Sequence, residues 1–273
     1  MLTHILQAAF LGLVQGITEP LPVSSTAHLV LFEKLFGWSK ATYGLSFDMF
    51  INMGTTAAVI SFFWSDLRKM ARHFRLPGGD PLNRQERLPW LIILASIPVG
   101  LIGLALEKRI ATVFRSPLII AYTLIGVGLL MFLAEWYARR QKHSKTASDK
   151  QVVGIGLSQA LALVPGVSRS GITIATGLLY GLDRVEAAEI SFLLSIPITL
   201  AAIGDRLVKF GLQLGRHLVS PNVLIYYIIG AIASWAAGFL TLRFLLRFYS
   251  RYTLATFAYY RIALGIVILL FFR

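Results

Sequence analysis

Three stretches of this sequence, Leu88–Leu106, Ser116–Ala134 and Leu218–Leu242, contain no residue with a formal charge. A helix needs roughly 20 apolar residues to cross a hydrocarbon core about 30 Å thick, so each stretch is long enough to span a bilayer. Composition agrees: of 273 residues 56% are hydrophobic and 14% charged, and mean hydropathy is +0.69. Such a chain cannot cover itself with polar surface in water, which makes lipid its main solvent. The first ten residues, Met1–Phe10, lack the basic head and small-residue cleavage site of a signal peptide and are expected to be part of the mature fold.

Further spans carry isolated polar residues. Leu45–Trp64 contains one acid, Asp48, and Tyr252–Phe272 one base, Arg261; the two are expected to neutralise each other between spans. Ile190–Gly204 is shorter, but long enough with its flanking turn, and Arg184, Glu186 and Glu189 before it are expected at the membrane interface. About six transmembrane helices follow. Ile5–Thr18 and Val152–Ser168 differ: each is short or broken by proline and runs into a Pro/Ser/Thr cluster. Both read as re-entrant segments, tolerated where free backbone groups face protein or a water-filled cavity. With no cysteine in the chain, neither disulfides nor thiolate metal sites are available. The net charge of +13 sits in short clusters between apolar runs, a topology signal rather than a nucleic-acid face.

The sequence also repeats itself. A shift of 144 residues pairs Gly12 with Gly156, Gln15 with Gln159, Val23 with Val167, Ser24 with Ser168 and Thr26 with Ser170. The order of elements repeats as well, a re-entrant hairpin followed by three spans. The expected architecture is therefore an all-α integral membrane protein of two repeats, 1–144 and 145–273. Three spans per half is an odd number, which inverts the second repeat. Loops 65–88, 137–151 and 241–251 hold fourteen Lys and Arg against nine on the other face (Lys34, Lys40, Lys108, Arg109, Arg115, Arg206, Lys209, Arg216 and Arg273), which assigns the first set to the cytoplasm. Inverted repeats with broken helices bring their two breaks together near the midplane, where polar chemistry collects.

The two breaks carry that chemistry. Gln15 and Glu19 are four apart and share a helix face, so they could grip one cation or one water. Pro20 and Pro22 end that helix and leave Ser24, Ser25 and Thr26 at the start of the next, where unpaired N–H groups and hydroxyls suit phosphate oxygens as well as ordinary capping. Ser168, Ser170 and Thr173 repeat the arrangement, and Arg169 adds a planar fork suited to phosphate. His28 lies one turn beyond Ser24, placed to act as base or acid. An ionisable group inside a membrane costs roughly 2.5–3.5 kcal/mol on insertion scales, so Glu19 and Arg169 mark a site. Together these groups point to phosphoryl chemistry on an amphiphile.

Gln15-x-x-x-Glu19 with Pro22-Val-Ser24-Ser25-Thr26-Ala-His28, and Pro165-Gly-Val-Ser168-Arg169-Ser170-Gly171-Ile-Thr173 in the second half, resemble the bacterial undecaprenyl-diphosphate phosphatases, the bacitracin-resistance proteins. The resemblance covers essentially the whole chain. It implies hydrolysis of undecaprenyl diphosphate to undecaprenyl phosphate and inorganic phosphate, which recycles the lipid carrier for peptidoglycan. It further implies a multi-pass protein of the cytoplasmic (inner) membrane with its site opening outward, and a divalent cation, Mg²⁺ or Ca²⁺; a homodimer is compatible with it. Carried over by residue, Glu19, Ser25, His28 and Arg169 match catalytic positions, and Ser24, Thr26, Ser168, Ser170 and Thr173 the phosphate-contacting strip, beside Gln15. Where the family accepts Glu or Gln, Gln15 leaves Glu19 as the only carboxylate of the pair. Ser25, His28 and a water each fit the sequence as nucleophile. A transporter or flippase for an anionic solute or polyprenyl phosphate lipid would use similar breaks without needing the Ser, His, Glu and Arg cluster.

Overall fold

The computed structural model describes residues 1–38, 43–72, 74, 84–112, 116–215 and 221–271. Lys40, Arg75, Arg115, Arg216 and Arg273 of the charge tally, with residues 218–220 and 272 of two expected spans, lie outside them. The described residues form helices: α1 Leu2–Thr18, α2 Ser25–Phe36, α3 Leu45–Phe62, α4 Trp64–Arg72, α5 Arg84–Thr112 and α6 Pro117–Ala138. After them come α7 Asp149–Ser158, a 3₁₀ turn Gln159–Leu163, α8 Arg169–Leu179, α9 Arg184–Gly215, α10 Pro221–Tyr249 and α11 Ala255–Phe271. An isolated bridge joins Ser144 to Leu182, and no strand occurs among the described residues.

Among the described residues, five helices are long and apolar enough to cross a membrane: α3 and α6, and the stretches Glu86–Leu106, Arg184–Leu212 and Val223–Tyr249 of α5, α9 and α10. Together with the sequence family described below, they make this a multi-pass membrane protein. Two spans depart from the sequence-based expectation. Ile190–Gly204 is the middle of a 32-residue helix, because Arg184, Glu186 and Glu189 form its first turns instead of preceding it. Tyr252–Phe272 shortens to the 17 residues of α11, about 25 Å at 1.5 Å per residue. Val152–Ser168 likewise is not one helix: α7 tightens into the 3₁₀ turn and then opens at an extended Val164 before Pro165.

Small residues set the packing. Without water to drive helices together, close backbone approach supplies the contact energy. A Cβ at Gly12 of α1 would strike the carbonyl of Gly230 in α10, and one at Gly54 of α3 that of Ala231. Helix α10 therefore lies against both α1 and α3, and the Ser234 hydroxyl donates to the Ile51 carbonyl at 2.7 Å. In the same manner α5 lies against α7 and α9, α6 against α11, and α3 against α9. The exposed apolar side chains, among them Leu101, Leu104, Leu129, Leu240 and Leu270, point away from these seams, as lipid contact requires.

Candidate active site

The first break forms because Pro20 and Pro22 cannot continue α1. The helix closes with the Glu19 N–H donating to the Gln15 carbonyl at 2.9 Å, and the chain turns through Ser24, whose φ of 71° lies in the left-handed region. The second break turns at Gly166 (φ 93°) and at Ser168 (φ 68°). Only glycine fits at 166, since a Cβ there would collide with the Thr123 hydroxyl. A non-glycine residue held at positive φ costs of order 1–3 kcal/mol and persists where its surroundings enforce it; here two serines do so, each immediately before a helix start.

Between the breaks the side chains form one connected array. Glu19 is its hub. Its Oε2 accepts from the Ser25 hydroxyl at 2.6 Å and from Gln15 Nε2 at 3.2 Å, and its Oε1 accepts from Arg169 Nη2 at 2.9 Å. The other hydrogen of Gln15 Nε2 goes to Asn52 Oδ1 of α3, at 3.1 Å. Two buried atoms of the array, Gln15 Oε1 and Arg169 Nη1, have no partner. Such atoms are costly unless something binds them.

A cavity of about 290 Å³ opens onto this array. Gln15, Glu19, Ser24, Ser25, Thr26, Ser168 and Arg169 line it, with Asp48, Asn52 and Arg206 as further polar residues and Leu29, Val30, Met49 and Ile203 as apolar ones. Polar groups therefore meet hydrocarbon walls in one space, the layout an amphiphile's head group needs.

Three of the expected site residues stand behind the lining. Ser170 donates to the Leu21 carbonyl at 3.1 Å, which ties the second helix start to the first break. The Thr173 hydroxyl bonds the Arg169 carbonyl at 2.7 Å and lies 2.6 Å from the Ser191 hydroxyl. His28 Nδ1 faces the Ser24 carbonyl at 2.8 Å and Nε2 the Tyr260 hydroxyl at 2.6 Å. A carbonyl only accepts, so Nδ1 carries the proton and, in the neutral ring, Nε2 accepts from Tyr260. Both ring nitrogens are engaged, and the ring fixes the left-handed turn at Ser24.

Arg261 does not pair with Asp48. Its guanidinium, fully buried, donates to the carbonyls of Pro22 at 3.1 Å, Gly166 at 2.8 Å and Val167 at 3.0 Å. Broken helices leave carbonyls without intrahelical partners, and the fork of one arginine satisfies those of both breaks at once. Asp48 instead lines the cavity. Asn52, four residues after Asp48 on the same face of α3, and Tyr260, beside Arg261, were not singled out in the sequence. The i,i+4 spacing of Asp48 and Asn52 within an apolar helix was the available signal for the first.

Comparison with known proteins places this chain in a family. The chain matches the family described as bacitracin resistance protein BacA over residues 8–267. An undecaprenyl-diphosphatase of Rubrobacter xylanophilus is 43% identical over 271 residues, 97% of each chain. Those of Nitrosococcus oceani and Trichlorobacter lovleyi are 41% and 42% identical, covering 98% of both chains in the first case and 96% of this chain and 95% of the relative in the second. On a match that runs nearly end to end and includes both breaks, this chain belongs to the bacitracin resistance protein BacA family.

Proposed function

We propose that this protein hydrolyses undecaprenyl diphosphate to undecaprenyl phosphate and inorganic phosphate at the bacterial inner membrane. The observation that carries the reading is the Ser25, Glu19 and Arg169 array at the floor of a cavity with apolar walls, in a chain whose relatives are undecaprenyl-diphosphatases.

Ser25 begins α2, so its hydroxyl stands beside N–H groups that have no intrahelical acceptor, a seat for phosphate oxygens. Its short bond to Glu19 supports Ser25 as the nucleophile. The carboxylate takes the hydroxyl proton as Oγ attacks the terminal phosphorus, and undecaprenyl phosphate leaves with the electrons of the broken P–O bond. Arg169, with Nη1 still unpartnered, stabilises the charge that builds on the phosphoryl oxygens. Glu19 passes the hydroxyl proton to the departing undecaprenyl phosphate, then takes one from the water that attacks the phosphoserine phosphorus and returns it to Ser25 Oγ as inorganic phosphate leaves. His28, engaged at both nitrogens, acts by positioning Ser24.

A divalent cation fits this floor. Gln15 Oε1 is a buried oxygen without a donor, and Glu19 is adjacent. Mg²⁺ often takes one or two protein oxygens and completes its shell with phosphate and water, and Gln15 and Glu19 would supply such oxygens. When bound it would neutralise phosphate charge.

The architecture we propose is two inverted repeats, 1–144 and 145–273. Three features support it. Ser24 and Ser168, 144 apart, share the left-handed turn; the packing of α1 on α10 has its counterpart in α7 on α5; and α3 meets α9 directly. The Lys/Arg-poor face is then the outer one. Asp48 and Arg206 lie in the halves of α3 and α9 that lead toward it, which supports a cavity opening outward.

Phosphate release tests the reading. Purified protein in detergent with Mg²⁺ is expected to liberate inorganic phosphate from a long-chain polyprenyl diphosphate, and Ser25→Ala to lose that release while keeping its thermal unfolding profile. Absence of release from folded parent protein would overturn it, and full activity in Ser25→Ala would move the attack to water.

A further inference from the structure

Arg206 lines the cavity from α9, half-buried, and among the described residues its guanidinium has neither hydrogen bond nor ion pair. The family's two motifs do not contain it. Its place on α9 is defined by a stripe: Thr199, Ala202, Ile203 and Arg206 follow the i, i+3, i+4, i+7 spacing of one helix face, and all four line the cavity. Thr199 marks the floor, since it also borders the small space shared with Glu19 and Arg169. Arg206 is seven residues further on, about 10 Å along the helix at 1.5 Å per residue. Side chains of a helix lean toward its N-terminus, here back toward Thr199 and the floor.

Charge gives this position a role. The ionisable side chains lining the cavity are Glu19, Asp48, Arg169 and Arg206, two acids and two bases. At the floor Arg169 has given Nη2 to Glu19, and its Nη1 is buried without a partner. A diphosphate brings more negative charge than that pair can balance, and the cation with all its donors uncommitted stands further out, on the way to the lipid.

We infer that Arg206 grips the phosphate joined to the lipid while the terminal phosphate lies on the floor at Arg169. The inference rests on the phosphatase reading above. A guanidinium at the cavity mouth could also meet the phosphate of a bulk phospholipid, which offers the same chemistry, and the experiment separates the two.

Steady-state hydrolysis of a polyprenyl diphosphate in detergent, for parent, Arg206→Gln and Arg206→Lys, supplies the test. Arg206→Gln is expected to raise KM about tenfold, the effect of losing a charged hydrogen bond to the bound diphosphate, and to lower kcat severalfold as well, because the lipid-linked phosphate gains negative charge as it leaves. Inhibition by polyprenyl monophosphate, which retains the lipid-linked phosphate, should weaken by a similar factor. Inhibition by inorganic orthophosphate, which occupies the floor, should not change. Arg206→Lys should recover part of the loss, keeping the charge without the fork. Unchanged KM and unchanged monophosphate inhibition in Arg206→Gln would assign Arg206 to bulk phospholipid and overturn the inference; equal weakening of orthophosphate inhibition would overturn it too, by placing the effect at the floor. A parent that is folded but releases no phosphate would instead remove the phosphatase reading, and the inference with it.

Discussion

Two carboxylate–arginine pairs lie inside this helical bundle, and their surroundings differ. Glu135, at the end of α6, is 2% exposed and takes both arms of Arg184, the backbone N–H of Leu254 at 3.2 Å and an ion pair from Arg139. Among the described residues its carboxylate is held by two arginines and a backbone N–H, and it does not line the cavity of about 290 Å³. Glu19 is also held by an arginine, but its pair borders the cavity and leaves Arg169 Nη1 and the neighbouring Gln15 Oε1 without partners. A saturated pair fixes helices to one another; an unsaturated one facing a cavity can bind something and move a proton. Substitutions should therefore separate the two, one through activity and the other through stability.

The largest effect is expected at the open pair. Glu19→Gln preserves shape, but its single carbonyl oxygen can keep only one of the bonds from Ser25 and Arg169, and an amide cannot take the hydroxyl proton. Turnover should fall by about 10³-fold, within the range for loss of a general base, with the unfolding temperature near that of the parent. Phosphate release and a detergent melting curve on the same preparation check both halves. A variant that unfolds early would mean Glu19 is structural in the manner of Glu135. At the closed pair the expectation reverses. Glu135→Gln leaves Arg184 and Arg139 without their carboxylate and should destabilise by about 3 kcal/mol, the lower end for breaking a buried pair, while the surviving folded fraction keeps parental turnover per molecule. Turnover that falls with no change in melting would erase the contrast.

Much of the open pair was legible in the sequence, and almost none of the closed one. Glu19 and Arg169 announced themselves because prolines, serines and an ionisable residue interrupt apolar segments, where polarity is expensive. Their convergence from positions 150 residues apart followed from the duplicated pattern. Glu135 and Arg184 sit at the ends of apolar runs, where charges are ordinary, so no local signal distinguished a buried tie from an interfacial residue. Arg261 misled for a related reason. A lone base and a lone acid in two spans suggest each other, yet the free carbonyls that Arg261 satisfies are created by the breaks and cannot be seen as residue types. The lengths of α9 and α11 were missed because charge-free runs mark where lipid begins, not where a helix ends.

A smaller effect should appear one step back from the open pair. Tyr260 donates to His28 Nε2, and His28 holds the Ser24 carbonyl; neither ring lines the cavity. Tyr260→Phe removes one hydroxyl and keeps the ring that stacks on His28 at 5.7 Å between centroids. Loss of one neutral hydrogen bond, about 1 kcal/mol, lets the turn at Ser24 relax and should lower kcat severalfold, with KM for the diphosphate little changed. A loss as deep as that of Glu19→Gln would make His28 a participant in the chemistry instead of a support.

The smallest effect belongs to a pair that is neither open nor closed. Asp205 and Lys209 lie four apart on α9, 2.8 Å between charged atoms, with side chains 37% and 51% exposed. The acid precedes the base, the favourable orientation on a helix, but solvent screens both charges and each long side chain must be ordered to meet the other. A double-mutant cycle of Asp205→Ala and Lys209→Ala is expected to give a coupling of about 0.3–0.5 kcal/mol in stability and no change in turnover. Glu19, Glu135 and Asp205 then form a series in which one kind of contact, a carboxylate beside a base, differs only in burial and in what remains unpartnered around it. A coupling at Asp205 as large as the loss at Glu135 would show that burial does not order the series, and the separation of a structural pair from a functional one would lose its physical basis.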